Sequence, residues 1–338
     1  MVQKRIYQRR DLIRLGLLGG AGVGAGIALP QLVRYFQAQS IDIPTTTDAP
    51  PISGMNPMTI LRDFDRGTVK QENGRTVREF RIEATTSTLQ LNSAVNFVSW
   101  NFNGRVPGPT IRVNAGDRVR VIFLNRGGHA HSMHFHGVHA AAMDGIRPIR
   151  NGTATIYEFD AEPYGMHVYH CHVSPVARHI GKGLYGAFII DPPGGRPPAD
   201  EMVMVMGGFD INEDGKNELY AFNGIPNYYL EHPIRIRQNQ LVRLYLLNMV
   251  ELDPVLTFHL HANIFRLFRT GRSLQPDEES DVVTMGTAER HILEFSYALL
   301  GRYMFHPHQD VIAEKGCMGH FDVVDSTGRT GDAGSHAH

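Results

Sequence analysis

Four pairs of histidines, each with one residue between its two members, are the strongest chemical signal in this chain. They are His134 and His136, His170 and His172, His259 and His261, and His306 and His308. Side chains of a β-strand alternate between its faces, so both histidines of each pair point to the same side. Imidazole suits zinc, copper, iron and nickel. Eight imidazoles exceed what one tetrahedral zinc ion can use, so they predict a cluster of two or three ions.

A cysteine inside one of these pairs predicts a second and different metal site. In "YHCHV" (169–173), Cys171 points away from the face that carries His170 and His172. A thiolate with two imidazoles in a trigonal arrangement is a blue-copper site. His131 lies three residues before His134 and so on the opposite face, and His179 follows Cys171 by eight residues. These two histidines complete the set, and the axial position is expected a few residues beyond His179.

The histidine pairs belong to an internal repeat. "HFH" (134–136) recurs as "HLH" (259–261), "HCH" (170–172) recurs as "HPH" (306–308), and "NG" (103–104) recurs at 223–224. The strand–turn–strand pattern of residues 110–125 likewise recurs at 233–248. This order predicts an all-β chain with two tandem β-sandwich domains of Greek-key type. Pro307 stands where the first repeat has Cys171, so the second domain should lack a blue site.

The repeat and two Pro-rich stretches define the expected domain limits. "IDIPTTTDAPPISGMNP" (41–57) reads as a linker, and "DPPGGRPPAD" (191–200) marks the boundary between domains. We expect an export signal at 1–40, the first domain at 58–192, the second at 199–325 and a flexible tail at 326–338.

The N-terminal segment indicates where the protein acts, and the net charge indicates which partners to expect. Arg9 and Arg10 precede an apolar run from Leu15 to Leu29, which has the form of a twin-arginine export signal. The run is too short for a comfortable membrane span. The sequence thus predicts export, to the periplasm or the outer face of the cytoplasmic membrane. Membrane attachment is expected only through a signal left uncleaved. The formal net charge of −1 gives no reason to expect nucleic-acid binding.

Four segments resemble the copper motifs of multicopper oxidases: "HSMHFHG", "YHCHVSPVARHIGKGLYG", "FHLHANIF" and "MFHPHQDVIAEKGCMGHF". The chain resembles the two-domain, laccase-like members, with cupredoxin-like domains and the type 1 copper in the first. The resemblance implies four coppers per chain, placed as follows. His131, Cys171 and His179 would hold the type 1 copper, His134 and His259 the type 2 copper, and His136, His170, His172, His261, His306 and His308 the two type 3 coppers. Leu184 stands at the axial type 1 position and cannot ligate.

The resemblance also implies an activity and partners. Single electrons from a small reductant or metal ion would enter at the type 1 copper and pass through Cys171 to the cluster, which reduces O₂ to water. In this family the cluster lies between the chains of a homotrimer. O₂ reduction consumes protons, so Asp144 ("MDG") and Asp310 ("HPHQD") are candidates for a proton relay. The sequence is compatible with phenols, metal ions and small nitrogen compounds as reductants.

Two alternatives stay open. The pattern of His131, His136, His170, Cys171 and His179 also matches copper nitrite reductases. That family carries an aspartate where His134 stands, has no histidine at the place of His172, and needs only three histidines for its second copper. A non-catalytic copper or electron carrier would need only the type 1 set, so it leaves the four histidine pairs unexplained.

Overall fold

The computed structural model describes residues 55–137, 139–253 and 255–330. The expected signal at 1–40 and nearly all of the linker at 41–57 lie outside these residues, as does most of the tail. Within the described part, no helix has the length and apolar character that crossing a membrane requires.

The described chain consists almost entirely of β-strands joined by turns. The first ten strands are β1 Phe64–Asp65, β2 Thr68–Glu72, β3 Arg75–Gln90, β4 Asn96–Phe102, β5 Thr110–Asn114, β6 Arg118–Arg126, β7 His134–Phe135, β8 Ala154–Asp160, β9 Gly165–His170 and β10 Tyr185–Asp191. The remaining strands are β11 Asp200–Phe209, β12 Leu219–Phe222, β13 Ile234–Arg237, β14 Val242–Asn248, β15 Val255–Leu260, β16 Phe265–Arg269, β17 Glu278–Ser280, β18 Val282–Gly286, β19 Arg290–Phe295, β20 Gly301–His306 and β21 Gly319–Val324. The short helices are α1 Pro57–Ile60, α2 Val176–Gly181, α3 Tyr228–Glu231 and α4 Asp310–Glu314, with a 3₁₀ turn at Ala141–Met143.

Two sheets form the first domain. One has the order β1-β5-β10-β9-β7, and the other has the order β2-β3-β6-β8, with β4 paired to β3. Alternate residues of β3, namely Phe80, Ile82 and Ala84, are buried in the core between the sheets. Cys171 and Leu184 lie in the same core. The edge strand β7 therefore places its histidines at one rim of the sandwich.

The second domain repeats this plan. Its sheets have the orders β12-β11-β14-β19-β16-β17 and β13-β21-β20-β15-β18. Met202, Met204 and Met206 of β11 pack in the core between them, as their spacing of two predicts. The prediction of an all-β chain with two β-sandwiches is confirmed.

The two domains share a continuous apolar interface. Val203 and Val205 of β11 point away from the second core and pack with Val168 of β9 and Ile189 of β10. Strand β11 is therefore buried on both faces from Met202 onward, which explains the unbroken apolar sequence from Met202 to Phe209. Met58 and Leu61, near the start of the described residues, also pack against the core of the second domain. The sequence predicts that the first domain begins at residue 58.

Candidate metal centres

Three residues from three different elements meet in the buried interior of the first domain. His131 precedes β7 and is fixed by a pair of backbone hydrogen bonds with Ile149. Cys171 follows the last residue of β9, and His179 lies in α2. The Cys171 Sγ lies 3.2 Å from His179 Nδ1 and 3.9 Å from His131 Nδ1, and the two Nδ1 atoms are 3.2 Å apart. The structure therefore brings together all three predicted type 1 ligands.

The spacing of these donors fits a bound metal. A metal about 2.0–2.3 Å from each of three donors in one plane separates them by roughly 3.5–4 Å. Burial is the main cause that lowers the pKa of His131 to about 3 and that of His179 to about 4, so both imidazoles are neutral near pH 7. Burial also raises the pKa of the Cys171 thiol in the metal-free site. A metal that binds the thiolate reverses this effect.

Leu184 and Trp100 complete the surroundings of this site. Leu184 is fully buried; its N–H donates to the carbonyl of His179, and its carbonyl accepts from the N–H of Cys171. A leucine side chain offers no donor atom to a metal, and its axial placement stays a prediction. The ring of Trp100, the one tryptophan of the chain, lies 4.8 Å from His179 and 5.6 Å from His131 between centroids.

Four further histidines gather at the edge of the same domain. Strand pairing sets His134 opposite His170, and the Nε2 atoms of His136 and His170 are 3.0 Å apart. The ring of His172 lies 4.7 Å from that of His134 between centroids. Burial is the main cause that lowers the pKa of His136 to about 3 and that of His170 to about 4. These imidazoles are neutral near pH 7 and can therefore bind a metal.

Asp144 anchors two of these four rings. Its backbone carbonyl lies 2.9 Å from His134 Nδ1 and 3.3 Å from His172 Nδ1. A carbonyl only accepts, so each Nδ1 carries the hydrogen and each Nε2 keeps its lone pair for a metal. The carboxylate oxygens of Asp144 lie 3.3 Å from His134 Nδ1 and 3.8 Å from His172 Nδ1. The predicted acidic residue is therefore close to the histidines.

The second domain presents its four histidines in the same arrangement. Strand pairing sets His259 opposite His306, and the Nε2 atoms of His261 and His306 are 3.0 Å apart. The ring of His308 lies 5.2 Å from that of His259 between centroids. Here the carbonyl of Asp281 lies 2.8 Å from His259 Nδ1, and its carboxylate lies 3.8 Å from the same atom. Asp281 thus takes the place that Asp144 has in the first domain.

The second acidic candidate is located differently from Asp144. Asp310 is exposed at the first position of α4 and, within the described residues, forms no hydrogen bond or ion pair with a histidine. Sequence reasoning missed Asp281, because it follows His259 by 22 residues whereas Asp144 follows His134 by 10. Only the pairing of β15 with β18, which sets His259 opposite Val282, brings it to the site.

The eight paired histidines fall into two separate groups. We call the group in the first domain half-site 1 and the group in the second domain half-site 2. Within the part of the chain that the structure describes, no pair of neighbouring rings joins one half-site to the other. Each group alone offers four imidazoles.

The motifs and the geometry agree with comparisons against known proteins. Two profiles described as multicopper oxidase match the chain, one over residues 83–195 and one over residues 196–327. The chain belongs to the multicopper oxidase family. A crystal structure of a multicopper oxidase shares 46% identity and a TM-score of 0.79, and the match covers 80% of this chain and 98% of that one. The two β-sandwiches of this multicopper oxidase are therefore cupredoxin-like, and copper is its cofactor.

More distant relatives have two different activities in their names. The crystal structure of a blue copper oxidase from Nitrosomonas europaea shares 27% identity and a TM-score of 0.66, over 73% of this chain and 86% of that one. The copper-containing nitrite reductase of Neisseria gonorrhoeae shares 28% identity over 271 residues, which are 72% of this chain and 67% of that protein. The comparisons support a copper-dependent oxidoreductase.

Proposed function

We propose that this multicopper oxidase couples one-electron oxidation of a substrate at a type 1 copper to four-electron reduction of O₂ to water at a trinuclear copper cluster. The observation that carries this proposal is the repetition of one four-imidazole arrangement in both domains. A cluster of two or three ions needs many neutral imidazoles, and the two half-sites together supply eight.

The resemblance to multicopper oxidases assigns a role to each residue. His131, Cys171 and His179 would hold the type 1 copper; His134 and His259 the type 2 copper; and His136, His170, His172, His261, His306 and His308 the type 3 pair. The copper ions supply the redox chemistry. Cys171 lies in the chain between His170 and His172, so only a few covalent bonds separate the buried thiolate from half-site 1. That short path suits electron transfer between the two centres.

Carboxylates beside the half-sites can supply the protons that oxygen reduction consumes. Asp144 and Asp281 each lie within 4 Å of a histidine nitrogen in their own half-site. Their backbone carbonyls orient the rings, so their side chains remain free to bind and release protons. Asp281 replaces Asp310 as the second candidate for this relay.

A homotrimer would unite half-site 1 of one chain with half-site 2 of its neighbour. Two observations support it: no ring contact joins the half-sites among the described residues, and large apolar side chains are exposed beside each. Ile146 is 69% exposed next to the Asp144 turn, and Ile264 and Val311 are 61% and 66% exposed beside half-site 2. Neighbouring chains would cover these side chains. The proposal includes export by the twin-arginine route, with action in the periplasm or at the outer face of the cytoplasmic membrane.

A copper nitrite reductase is the second candidate, favoured by the relative from Neisseria gonorrhoeae. Such an enzyme needs three histidines for its second copper and an aspartate at the place of His134. Here His134 and His172 both lie in half-site 1 and share the carbonyl of Asp144. These two additional imidazoles favour the oxidase.

The copper content of the purified, copper-loaded protein tests the proposal. We expect about four copper ions per chain and the uptake of one O₂ for every four electrons supplied. About two copper ions per chain, together with nitrite-dependent turnover and no uptake of O₂, would favour the nitrite reductase instead.

A further inference from the structure

A cleft of about 300 Å³ lies where the first domain meets the second. Residues of the 177–182 segment, which contains most of α2, form one wall, and residues of the 210–217 and 251–252 segments form the other. His179 of α2 turns its Nδ1 toward Cys171. The cleft therefore borders the helix that carries a predicted type 1 ligand. Ligand pockets generally span roughly 300–1,000 Å³, so the cleft accommodates one small molecule.

The cleft is negatively charged. Two cations and three carboxylates line it, so their formal charges sum to −1: Arg178, Lys182, Asp210, Glu213 and Glu251. Adjoining residues add two cations and three carboxylates: Lys216, Lys315, Asp214, Glu218 and Asp253. Glu213 binds both lining cations, at 3.0 Å and 2.9 Å. The carboxylate of Asp210 accepts hydrogen bonds from the backbone N–H groups of its own loop. The cleft therefore attracts a cation.

Glu251 is the carboxylate that lacks a partner. Among the described residues, its side chain forms no hydrogen bond or ion pair, and burial raises its pKa. A cation beside it would offset the cost of burying this charge. Glu251 belongs to none of the donor groups in the described structure that lie close enough together to hold a metal ion. The unpartnered carboxylate therefore suits an organic cation.

The cleft also has an apolar wall, which consists of Phe97, Ala177 and Leu252. Leu252 is 50% exposed and has a φ of +74°. This left-handed conformation is unfavourable for leucine, whereas asparagine and glycine adopt it readily. An exposed leucine in a strained backbone adds little to the stability of the fold, and such strain is typical of functional sites. Leu252 therefore offers a surface to the apolar part of a ligand.

We propose that the cleft binds a small organic cation, an ammonium group on an apolar body, as an effector of the type 1 copper. Glu251 pairs with the ammonium group, and Leu252 packs on the apolar body. The ligand undergoes no reaction. Its charge neutralises a carboxylate beside the helix that carries His179, which favours the reduced, less positive copper ion and raises the reduction potential. Only this effect on copper rests on the proposed function.

Binding of three redox-inert ligands to the copper-loaded, full-length protein tests the site. Cyclohexylmethylamine, cyclohexanecarboxamide and cyclohexanecarboxylate share a ring and carry a positive, a neutral and a negative group. At pH 8 the amine remains protonated and the ionised form of Glu251 is favoured. We expect calorimetric titration to give a Kd for the amine about three- to fivefold lower than for the amide, with the carboxylate weakest. Equal Kd values would overturn the proposal.

Matched variants then identify the residues responsible. Glu251→Gln should remove the preference for the amine. Glu231→Gln, which removes an exposed carboxylate of α3 outside the cleft, should keep it. Leu252→Asn should weaken all three ligands by a similar factor and yet raise the thermal stability, because asparagine tolerates the left-handed backbone. A preference that survives Glu251→Gln, or binding that is unchanged in Leu252→Asn, would contradict the assigned contacts.

The reduction potential of the type 1 copper, measured by spectroelectrochemical titration, tests the effect on copper. Saturating amine should raise the potential of the wild type. Glu251→Gln should have a higher potential without amine and show no further rise. If the amine binds but leaves the potential unchanged, the effector role is wrong. A protein without a type 1 absorption band would contradict the proposed function, whereas the calorimetric result would still decide whether the cleft binds the amine.

Discussion

The histidines of the predicted type 1 site turn Nδ1 toward its centre, whereas His136, His170, His261 and His306 turn Nε2 toward theirs. In the half-sites a local hydrogen bond sets this choice. His170 Nδ1 lies 2.8 Å from the carbonyl of Cys171, and His306 Nδ1 lies 2.7 Å from the carbonyl of Pro307. In both domains the carbonyl of the next residue therefore fixes the ring and leaves Nε2 for a metal. Proline lacks an N–H and a thiol but keeps this carbonyl, so the second domain loses the blue site and retains the ring orientation.

Asp281 provides a test at the scale of one side chain. Asp281→Asn keeps the backbone carbonyl that holds His259 and removes only the acid. We expect unchanged copper content and a roughly 10–100-fold lower rate of O₂ reduction, the range typical of residues that support metal ligands. The rate with electrons in excess and the copper content measure these effects.

Asp310→Asn is the matched control for this substitution, since Asp310 forms no hydrogen bond or ion pair with a histidine among the described residues. Its rate should equal that of the wild type. Equal rates for Asp281→Asn and Asp310→Asn would rule out the relay role of Asp281.

A buried histidine outside the copper sites should make stability depend on pH. His291 of β19 is 2% exposed, and neither of its ring nitrogens has a hydrogen-bond partner in the described structure. Burial lowers the pKa of His291 in the folded protein. Below about pH 6.5 the unfolded chain therefore binds a proton more readily than the folded one, and the stability of the fold decreases as the pH is lowered. His291→Leu should remove this loss of stability at low pH.

Urea unfolding of copper-loaded wild type and His291→Leu between pH 8 and pH 5 checks the prediction. The free-energy difference between them should grow in favour of the variant as the pH falls, by at most about 1.4 kcal/mol per pH unit. A difference that is constant over this range would contradict it.

At the scale of elements, a single tight turn orients two of the four rings in half-site 1. The turn at Asp144–Gly145 follows the 3₁₀ turn and carries the carbonyl that binds His134 and His172. Gly145 has a φ of +77°, and a Cβ there would overlap the carbonyl of Met133 and approach the backbone N of His134. The turn therefore packs against the strand that begins with His134.

Gly145→Ala should lower the copper content of the cluster. Gly116→Ala is its matched control, because Gly116 has a similar φ of +88° but open space around it. Both variants should lose about 1–2 kcal/mol of stability from the left-handed backbone. Only Gly145→Ala should also lose copper, measured by elemental analysis of the folded protein. Equal copper content in the two variants would show that the turn does not position the ligands.

At the scale of the whole molecule, buried ion pairs accompany the apolar interface between the domains. Arg112 of the first domain binds Asp191 at 2.9 Å and Glu201 of the second domain at 2.6 Å. Arg243, whose side chain is 1% exposed, binds Glu201 at 3.1 Å and Glu294 at 2.7 Å. Each buried carboxylate needs its arginine partner, because an unpaired buried charge destabilises the folded protein.

Arg243→Met should destabilise the protein by about 3–5 kcal/mol, since it leaves a buried carboxylate without its main partner. Arg266→Met is the comparison: Arg266 binds the same Glu294 at 2.9 Å but is 45% exposed, so the loss should be about 1 kcal/mol or less. Thermal unfolding of both variants measures the difference. A similar loss for both would show that burial of this network matters little.

The proposed trimer makes cluster assembly depend on contact between chains. Ile264→Arg places a charge in the apolar surface beside half-site 2 and should prevent association. We expect the apparent mass to fall from about three chains to one and the copper content from about four ions to about one.

Light scattering and elemental analysis of the same sample test this link. Val69→Arg is the control. Val69 is also exposed, but it lies on β2, which belongs to the sheet of the first domain that does not carry half-site 1. A monomer that keeps all four copper ions would place the cluster within one chain.

The sequence by itself determined the all-β architecture, the histidine pairs and the residues that surround Cys171. Each of these depends on alternation along a strand or on short spacing in one segment, which is visible in the order of residues. The strands β5, β6, β13 and β14 appear where the alternating patterns of residues 110–125 and 233–248 predict them.

Only the tertiary structure decided which carboxylate other than Asp144 lies beside the histidines and which carboxylate binds Arg178. Asp281 reaches His259 through the pairing of β15 with β18, and Glu213 of the second domain binds Arg178 of the first. Such contacts join residues that are far apart in the chain through loops whose lengths differ between the two repeats. No spacing rule transfers between them, so proximity in space is set by sheet register and domain packing.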